Sequence, residues 1–279
     1  MTLYKNGHDE QLRDQAVSLV QQSRRGYDPK YAHGSMSCAT YDTAWVSLVT
    51  KPVNGTRQWL FPESFRFLVD HQATDGSWGR QASSIDKILN TVAALLSLVR
   101  HAKEPLQLVD GIIQGWDLEK RIDRATQILQ HQLAEWDIAS TTHVGFEIIV
   151  PALLDLLANE GIVFAFKARD DLIKARAAKL KHFDPELLLY GKQKSTLLHS
   201  LEAFTGRINY DKLAHHKVNG SFMASPSSTA AYLMNVSSWD DEAEDYLRHV
   251  ISRGPGCGQG SVPSAYPSSN FEYSWVSNQ

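Results

Sequence analysis

The residues with chemistry to offer are spread along the chain rather than gathered in one short motif. Lys167, Lys174 and Lys181 recur every seven residues, with Arg169, Arg176 and Lys179 among them. On a helix most of these six charges would face water, although fixed positive charge is what a phosphate group requires. Carboxylates come in pairs: Glu135 with Asp137, Asp170 with Asp171, Asp240 with Asp241 and Glu242. Two oxygens-bearing side chains are too few for a hard cation, which takes six or more oxygen ligands. Asp240-Asp241-Glu242-Ala243-Glu244 approaches a DDxxE metal motif, but Ser238-x-x-Asp241 reads better as a helix start with acids suiting the dipole. His199, taken alone, is a hydrogen-bonded histidine in a helix. No pair of carboxylates suggests the acid and base of a glycoside hydrolase.

The elements that must position these groups are helical. Leu12, Ala16, Leu19 and Val20 lie on one helix face, which Gly26 and Pro29 would stop. Residues 60–70, 88–99, 148–158 and 245–251 repeat the spacing, and Gly254-Pro255 ends the last of them. Strand alternation is scarce, and the expected class is all-α. Residues 50–58 read as a polar loop, and residues 252–270, with four glycines and three prolines, as a long irregular connector. The aromatic cluster of Phe271, Tyr273 and Trp275 just before Gln279 looks like an apolar segment cut short.

An internal echo links His71-Gln72-Ala73-Thr74-Asp75-Gly76-Ser77-Trp78 to His215-His216-Lys217-Val218-Asn219-Gly220-Ser221-Phe222. Each carries a tight Asp/Asn-Gly turn followed by an aromatic, and each leads into a helix of small residues. Two distant copies predict a ring of helix hairpins. Gln72, Asp75, Trp78 and Phe222 are assigned to stability.

Composition narrows the class. With 279 residues and 43% apolar residues, the chain suits one large or two small domains with an ample core. A net charge of -3 and pI near 6.4 exclude a broadly basic nucleic-acid or membrane-surface protein. Cys38 and Cys257 are the two cysteines, too few for a disulfide framework or a cysteine-rich zinc site. No apolar run approaches the length of a membrane span, and early acids argue against a targeting leader. A soluble, cytoplasmic protein is expected.

Several motifs in order resemble one family. Gln72-x-x-Asp75-Gly76-x-Trp78 resembles the QW motif of terpene cyclases. Ser37-Cys38-Ala39-Thr40-Tyr41-Asp42-Thr43-Ala44-Trp45-Val46 resembles the SAYDTAWVA segment of class II diterpene cyclases of the copalyl diphosphate synthase type. Phe61-Pro62-Glu63-Ser64, the Gly145-Phe146-Glu147 tract ending at Pro151, and Lys179-Leu180-Lys181 follow. Then come Thr196 through Glu202, Gly220 through Ala230, Val262 through Pro267, and Phe271-Glu272. The resemblance covers about residues 35–276, in wording nearer to fungal members.

It implies an α/α-barrel γ domain over residues 35–260, preceded by an N-terminal helical segment, 1–34, packing on a β domain. Residues 261–279 would be a connector returning toward that domain. The implied reaction is protonation and cyclisation of geranylgeranyl diphosphate to a copalyl-type diphosphate, in a site shared between the γ and β domains. His199 matches the position that helps take the final proton through a shared water, and Ser264 stands where the family carries asparagine. Lys179 matches a lysine that contacts the substrate diphosphate. Glu135 and Asp137 lie where many members carry an acidic element tied to Mg²⁺, which is implied for the complete enzyme. Glu147 is read as structural. The DxDD motif that supplies the proton is not found; Tyr41-Asp42-Thr43-Ala44 keeps only its final Asp. The expectation is therefore a piece inactive by itself, the alternative being a non-catalytic helical module for a protein partner or prenyl diphosphate.

Overall fold

The computed structural model describes residues 5–25, 27–79, 82–109 and 117–276. Of the expected apolar positions, the side chains of Leu19, Val20 and Trp275 lie outside what is described, as do residues 277–279.

Helix α1 (Lys5–Arg25) ends where Gly26 and Pro29 predict, and it leaves Leu12 and Val17 exposed. The Asp28 carboxylate then accepts the backbone N–H groups of Lys30 and Tyr31, each at 2.8 Å, which turns the chain toward α2 (Thr40–Ser47). Every residue of α2 from Asp42 to Ser47 is buried, polar ones included.

Residues 50–59 correct the expected polar loop. They form a hairpin, β1 (Thr50–Val53) antiparallel to β2 (Thr56–Trp59), with Thr50 opposite Trp59. Asn54 and Gly55 both take positive φ at its tip. That is the two-residue turn whose twist matches the strands, so Asn-Gly was the overlooked signal.

Helix α3 (Pro62–Asp70) starts with proline in its first turn, and α4 (Ser84–Lys103) is capped by Ser83, whose hydroxyl accepts the Asp86 N–H. Helix α4 is the central post. Apolar residues from Ile85 to Val99 are buried on nearly all its faces, against α2, α5 (Leu118–Glu135) and α6 (Phe146–Asn159). Its last turn carries His101 stacked between Trp59 and Phe65, with ring centroids 3.9 and 3.7 Å away. Helix α6 folds back on α7 (Arg169–Leu180), and α8 (Pro185–Tyr190) follows. Short 3₁₀ turns then lead to α9 (Pro226–Asn235), which packs on α2 and on α10 (Asp241–Arg253). Helix α10 starts two positions later than Ser238-x-x-Asp241 implies for a cap at Ser238: Asp240 is the cap, accepting the Ala243 N–H at 3.1 Å. Beyond the glycine-rich stretch, α11 (Ser269–Val276) closes the described chain.

The internal echo is structural. Gly76 (φ +92) lies so close to the α5 backbone that a Cβ there would sit 2.5 Å from the Arg124 carbonyl carbon. Gly220 (φ +78) does the same against the Glu242 carbonyl of α10. Gln72 donates to the Gly76 and Arg121 carbonyls, and the Trp78 indole N–H donates to the Leu68 carbonyl at 2.9 Å. In each copy a turn without side-chain bulk lets the second helix downstream dock.

Candidate functional site

Glu147 and Lys179 are brought together by the α6–α7 pair. Gly145, at φ +89, turns the chain into α6 and leaves Glu147 in its first turn, where the helix dipole favours a carboxylate. Lys179 is in the last turn of α7, the end that favours a cation. Lys179 Nζ lies 3.4 Å from Glu147 Oε1. The lysine is 55% exposed and the glutamate 17%, and Glu147 Oε2 is buried without a hydrogen-bond partner. A half-exposed ammonium steered by a buried carboxylate can receive an anionic group from solvent. Of the other charges on this face, Lys174 lies 3.3 Å from Asp171, and Arg176 bonds Asp155 at 2.6 Å.

His199 ends a 3₁₀ turn (Thr196–His199) capped by the Ser195 hydroxyl, which accepts the Leu197 N–H. The imidazole is half-buried, and that burial lowers its pKa below the ordinary value, leaving it neutral and able to accept a proton at pH 7. The next turn (Leu201–Phe204) is pinned from both sides of the peptide. Leu201 N donates to Ser228 Oγ at 2.8 Å, and the Tyr210 hydroxyl donates to the Leu201 carbonyl at 2.6 Å. The Glu202 carboxyl is buried, receiving Tyr41 OH at 2.9 Å and Ser228 Oγ at 3.2 Å. Burial raises Glu202 to about 8, with neighbouring Asp42 pushing the same way, and raises Asp42 itself to about 7. Ser227 hydrogen-bonds Asp42 through both hydroxyl and backbone.

Ser264 is exposed, on the stretch that follows α10. That stretch is sewn to the start of α2: Ala39 N donates to the Val262 carbonyl at 2.8 Å, and Val262 N donates to Thr43 Oγ1 at 3.1 Å. Cys38 bridges Pro263 in antiparallel fashion. His199 and Ser264 share no hydrogen bond among the described residues; they share a support.

With this geometry in place, the likeness to known proteins is informative. No protein-family model matches the chain. The phyllocladan-16-alpha-ol synthase of Phomopsis amygdali is 67% identical over 276 residues, 99% of this chain and 27% of that protein. The copalyl diphosphate synthase of Talaromyces verruculosus is 52% identical over 264 residues, 95% of this chain and 27% of that protein. The chain is homologous to a segment of the diterpene cyclases. It spans about a quarter of the length of these relatives. The fold agrees: the crystal structure of ent-copalyl diphosphate synthase from Arabidopsis thaliana, in complex with a geranylgeranyl thiolodiphosphate analogue, superposes with a TM-score of 0.72 at 26% identity. That match covers 94% of this chain and 35% of that one. The helical architecture is therefore that of the terpene cyclases. No helix among the described residues is long and apolar enough to cross a membrane.

A diterpene cyclase segment raises the question of Mg²⁺. Glu135 faces His131 at 3.4 Å, while Asp137 Oδ1 accepts the N–H groups of Ala139 and Ser140. Both carboxylates border one open cleft with Asp86, but no group of three or more His, Cys, Asp or Glu side chains among the described residues could hold a metal ion. The described residues therefore do not fit a magnesium site.

Tyr41, Asp42 and Glu202 escaped the reading by residue type. The available signal was an acid between apolar neighbours, as in Leu201-Glu202-Ala203-Phe204, where a surface helix would alternate. Neither acid replaces the missing DxDD. Asp42 is closed in by Ser227, and Glu202 borders an open cleft of about 390 Å³, edged by Asp155, Arg176 and Arg207. Such a lining attracts water, which an acid protonating an alkene must exclude.

Proposed function

We propose that this chain is the γ-domain region of a class II diterpene cyclase, forming the base-side wall of a pocket that cyclises geranylgeranyl diphosphate to a copalyl-type diphosphate. The observation that carries the reading is the match of nearly the whole chain, at up to 67% identity, to about a quarter of diterpene synthases. Protonation of the terminal alkene needs a neutral carboxylic acid, assigned here to a DxDD motif elsewhere in the full-length protein. Two alkene attacks close the decalin, and the resulting cation loses a proton to become an exocyclic or ring alkene.

That last proton needs only a weak, well-placed base. Neutral His199 serves, relayed by a water held near Ser264, whose hydroxyl can both donate and accept. Lys179 supplies fixed charge to the diphosphate, and Glu147 aims it. Mg²⁺, as a component of the complete enzyme, would draw its ligands from outside the residues described.

The test is His199→Ala in the full-length cyclase, with products resolved by mass spectrometry after dephosphorylation. The expected result is a shift of at least tenfold in the ratio of water-captured alcohol to alkene, because the cation persists without its base. An unchanged product ratio would remove His199 from the mechanism.

A further inference from the structure

The first turn of α2 touches both chain segments that carry the proposed base. Tyr41 reaches the Glu202 carboxyl, three residues beyond His199, while Ala39 and Thr43 hold Val262, two residues before Ser264. Tyr41 N in turn donates to Asn90 Oδ1 at 3.1 Å, which fastens the same turn to the central α4. On the far side, Ser228 at the start of α9 takes the Leu201 N–H and gives its own proton to Glu202. Glu202 thus stands where three elements cross, α2, α9 and the turn that follows His199, and its carboxyl is bonded to both helices.

We propose that Glu202 is a positioning residue: clamped between Tyr41 and Ser228, it sets the height of the turn that directly follows His199 against the α2 edge that carries the Ser264 segment. A 3₁₀ turn has poor internal hydrogen bonds and drifts unless fixed from outside. Here the outside fixings on Leu201 and Glu202 converge within one residue of each other. A base relayed by water tolerates little drift, since displacement of about 1 Å can cost on the order of a hundredfold in rate. Glu202 touches no reacting atom in this account; it acts through the turn. The buried carboxyl is suited to the task because each of its two oxygens accepts a hydroxyl proton from a different helix.

The inference rests on the reading of His199 as the base, and the experiment separates the two. In the full-length cyclase, Tyr41→Phe, Glu202→Gln, Glu202→Leu and His199→Ala are compared for alcohol-to-alkene ratio, KM for geranylgeranyl diphosphate, and folding by circular dichroism. Tyr41→Phe removes a single oxygen and gives the deciding measurement whether or not Glu202→Leu folds. The expected result is a rise of at least threefold in the alcohol-to-alkene ratio for Tyr41→Phe, with KM within twofold of the parent and Glu202→Gln closer to the parent than Glu202→Leu. A purely structural clamp would lower the yield of folded protein and leave the ratio where it was. If His199→Ala shifts the ratio and Tyr41→Phe does not, the positioning role is overturned and the base survives. If His199→Ala leaves the ratio unchanged, the base itself falls, and the positioning role with it.

Discussion

At the scale of single residues, the uncommon feature is a pair of buried acids that stay protonated near neutral pH. Asp42 at about 7 and Glu202 at about 8 stand well above the ordinary 3.8 and 4.5, in each case chiefly because burial penalises the charged form. The other titratable groups facing them are Tyr41, Tyr210 and Tyr246, all pushed upward by burial as well. Between the ordinary values and the raised ones the folded chain holds protons that the unfolded chain has released. The contribution of these two groups to stability therefore falls as pH rises from about 4 toward 8, by at most about 1.4 kcal/mol per pH unit per group. Thermal melts of this chain across pH 7 to 9, above the range in which the buried histidines give the opposite slope, should show a falling melting temperature, and Asp42→Asn or Glu202→Gln should flatten the slope. A melting temperature that rises over that range would contradict the assignment. His101 presents the opposite case: burial drops it to about 3, and its neutral ring is simply packing between Trp59 and Phe65.

At the scale of elements, glycine turns decide how helices dock. Gly76 combines positive φ with a helix backbone where a side chain would go, so alanine there faces both strain and a clash with the Arg124 carbonyl. Gly76→Ala should cost about 1–3 kcal/mol for the backbone conformation alone, with the clash adding to it. Gly206, at similar φ but with nothing within 4 Å, is the control; its alanine variant should lose less. Urea unfolding of both variants measures the difference, and equal losses would show that the close approach to α5 is unimportant. The sequence allowed the echo around Gly76 and Gly220 to be read because Asp-Gly-Ser-Trp and Asn-Gly-Ser-Phe are local signals. It equally contained Asn54-Gly55, yet the polar composition of residues 50–58 hid a hairpin whose pairing needs only alternating backbone groups. Asp240 took the cap over Ser238 for a reason absent from any helix template. Its carboxylate also meets Lys217 and the Tyr232 hydroxyl, contacts that come from distant chain.

At the scale of the whole molecule, this segment has a base and a diphosphate-contacting lysine in the proposed reading, and its two protonated acids are enclosed rather than turned to a dry pocket. The chain by itself should give no cyclised product from geranylgeranyl diphosphate with Mg²⁺, by mass spectrometry at a sensitivity that detects one turnover per enzyme. Product above that level would mean that the segment carries its own acid.

Helical periodicity, the Asp/Asn-Gly turns and the ordered motifs were local properties, and from them the sequence by itself determined an all-α terpene cyclase segment and nominated His199, Ser264 and Lys179. Tertiary structure alone decided which residues support them. Glu147 meets Lys179 across two helices, and Tyr41 reaches Glu202 across 161 positions of chain. The physical reason is desolvation: whether a carboxyl is a surface charge or a neutral clamp depends on what encloses it, and enclosure is made by segments far apart in the chain.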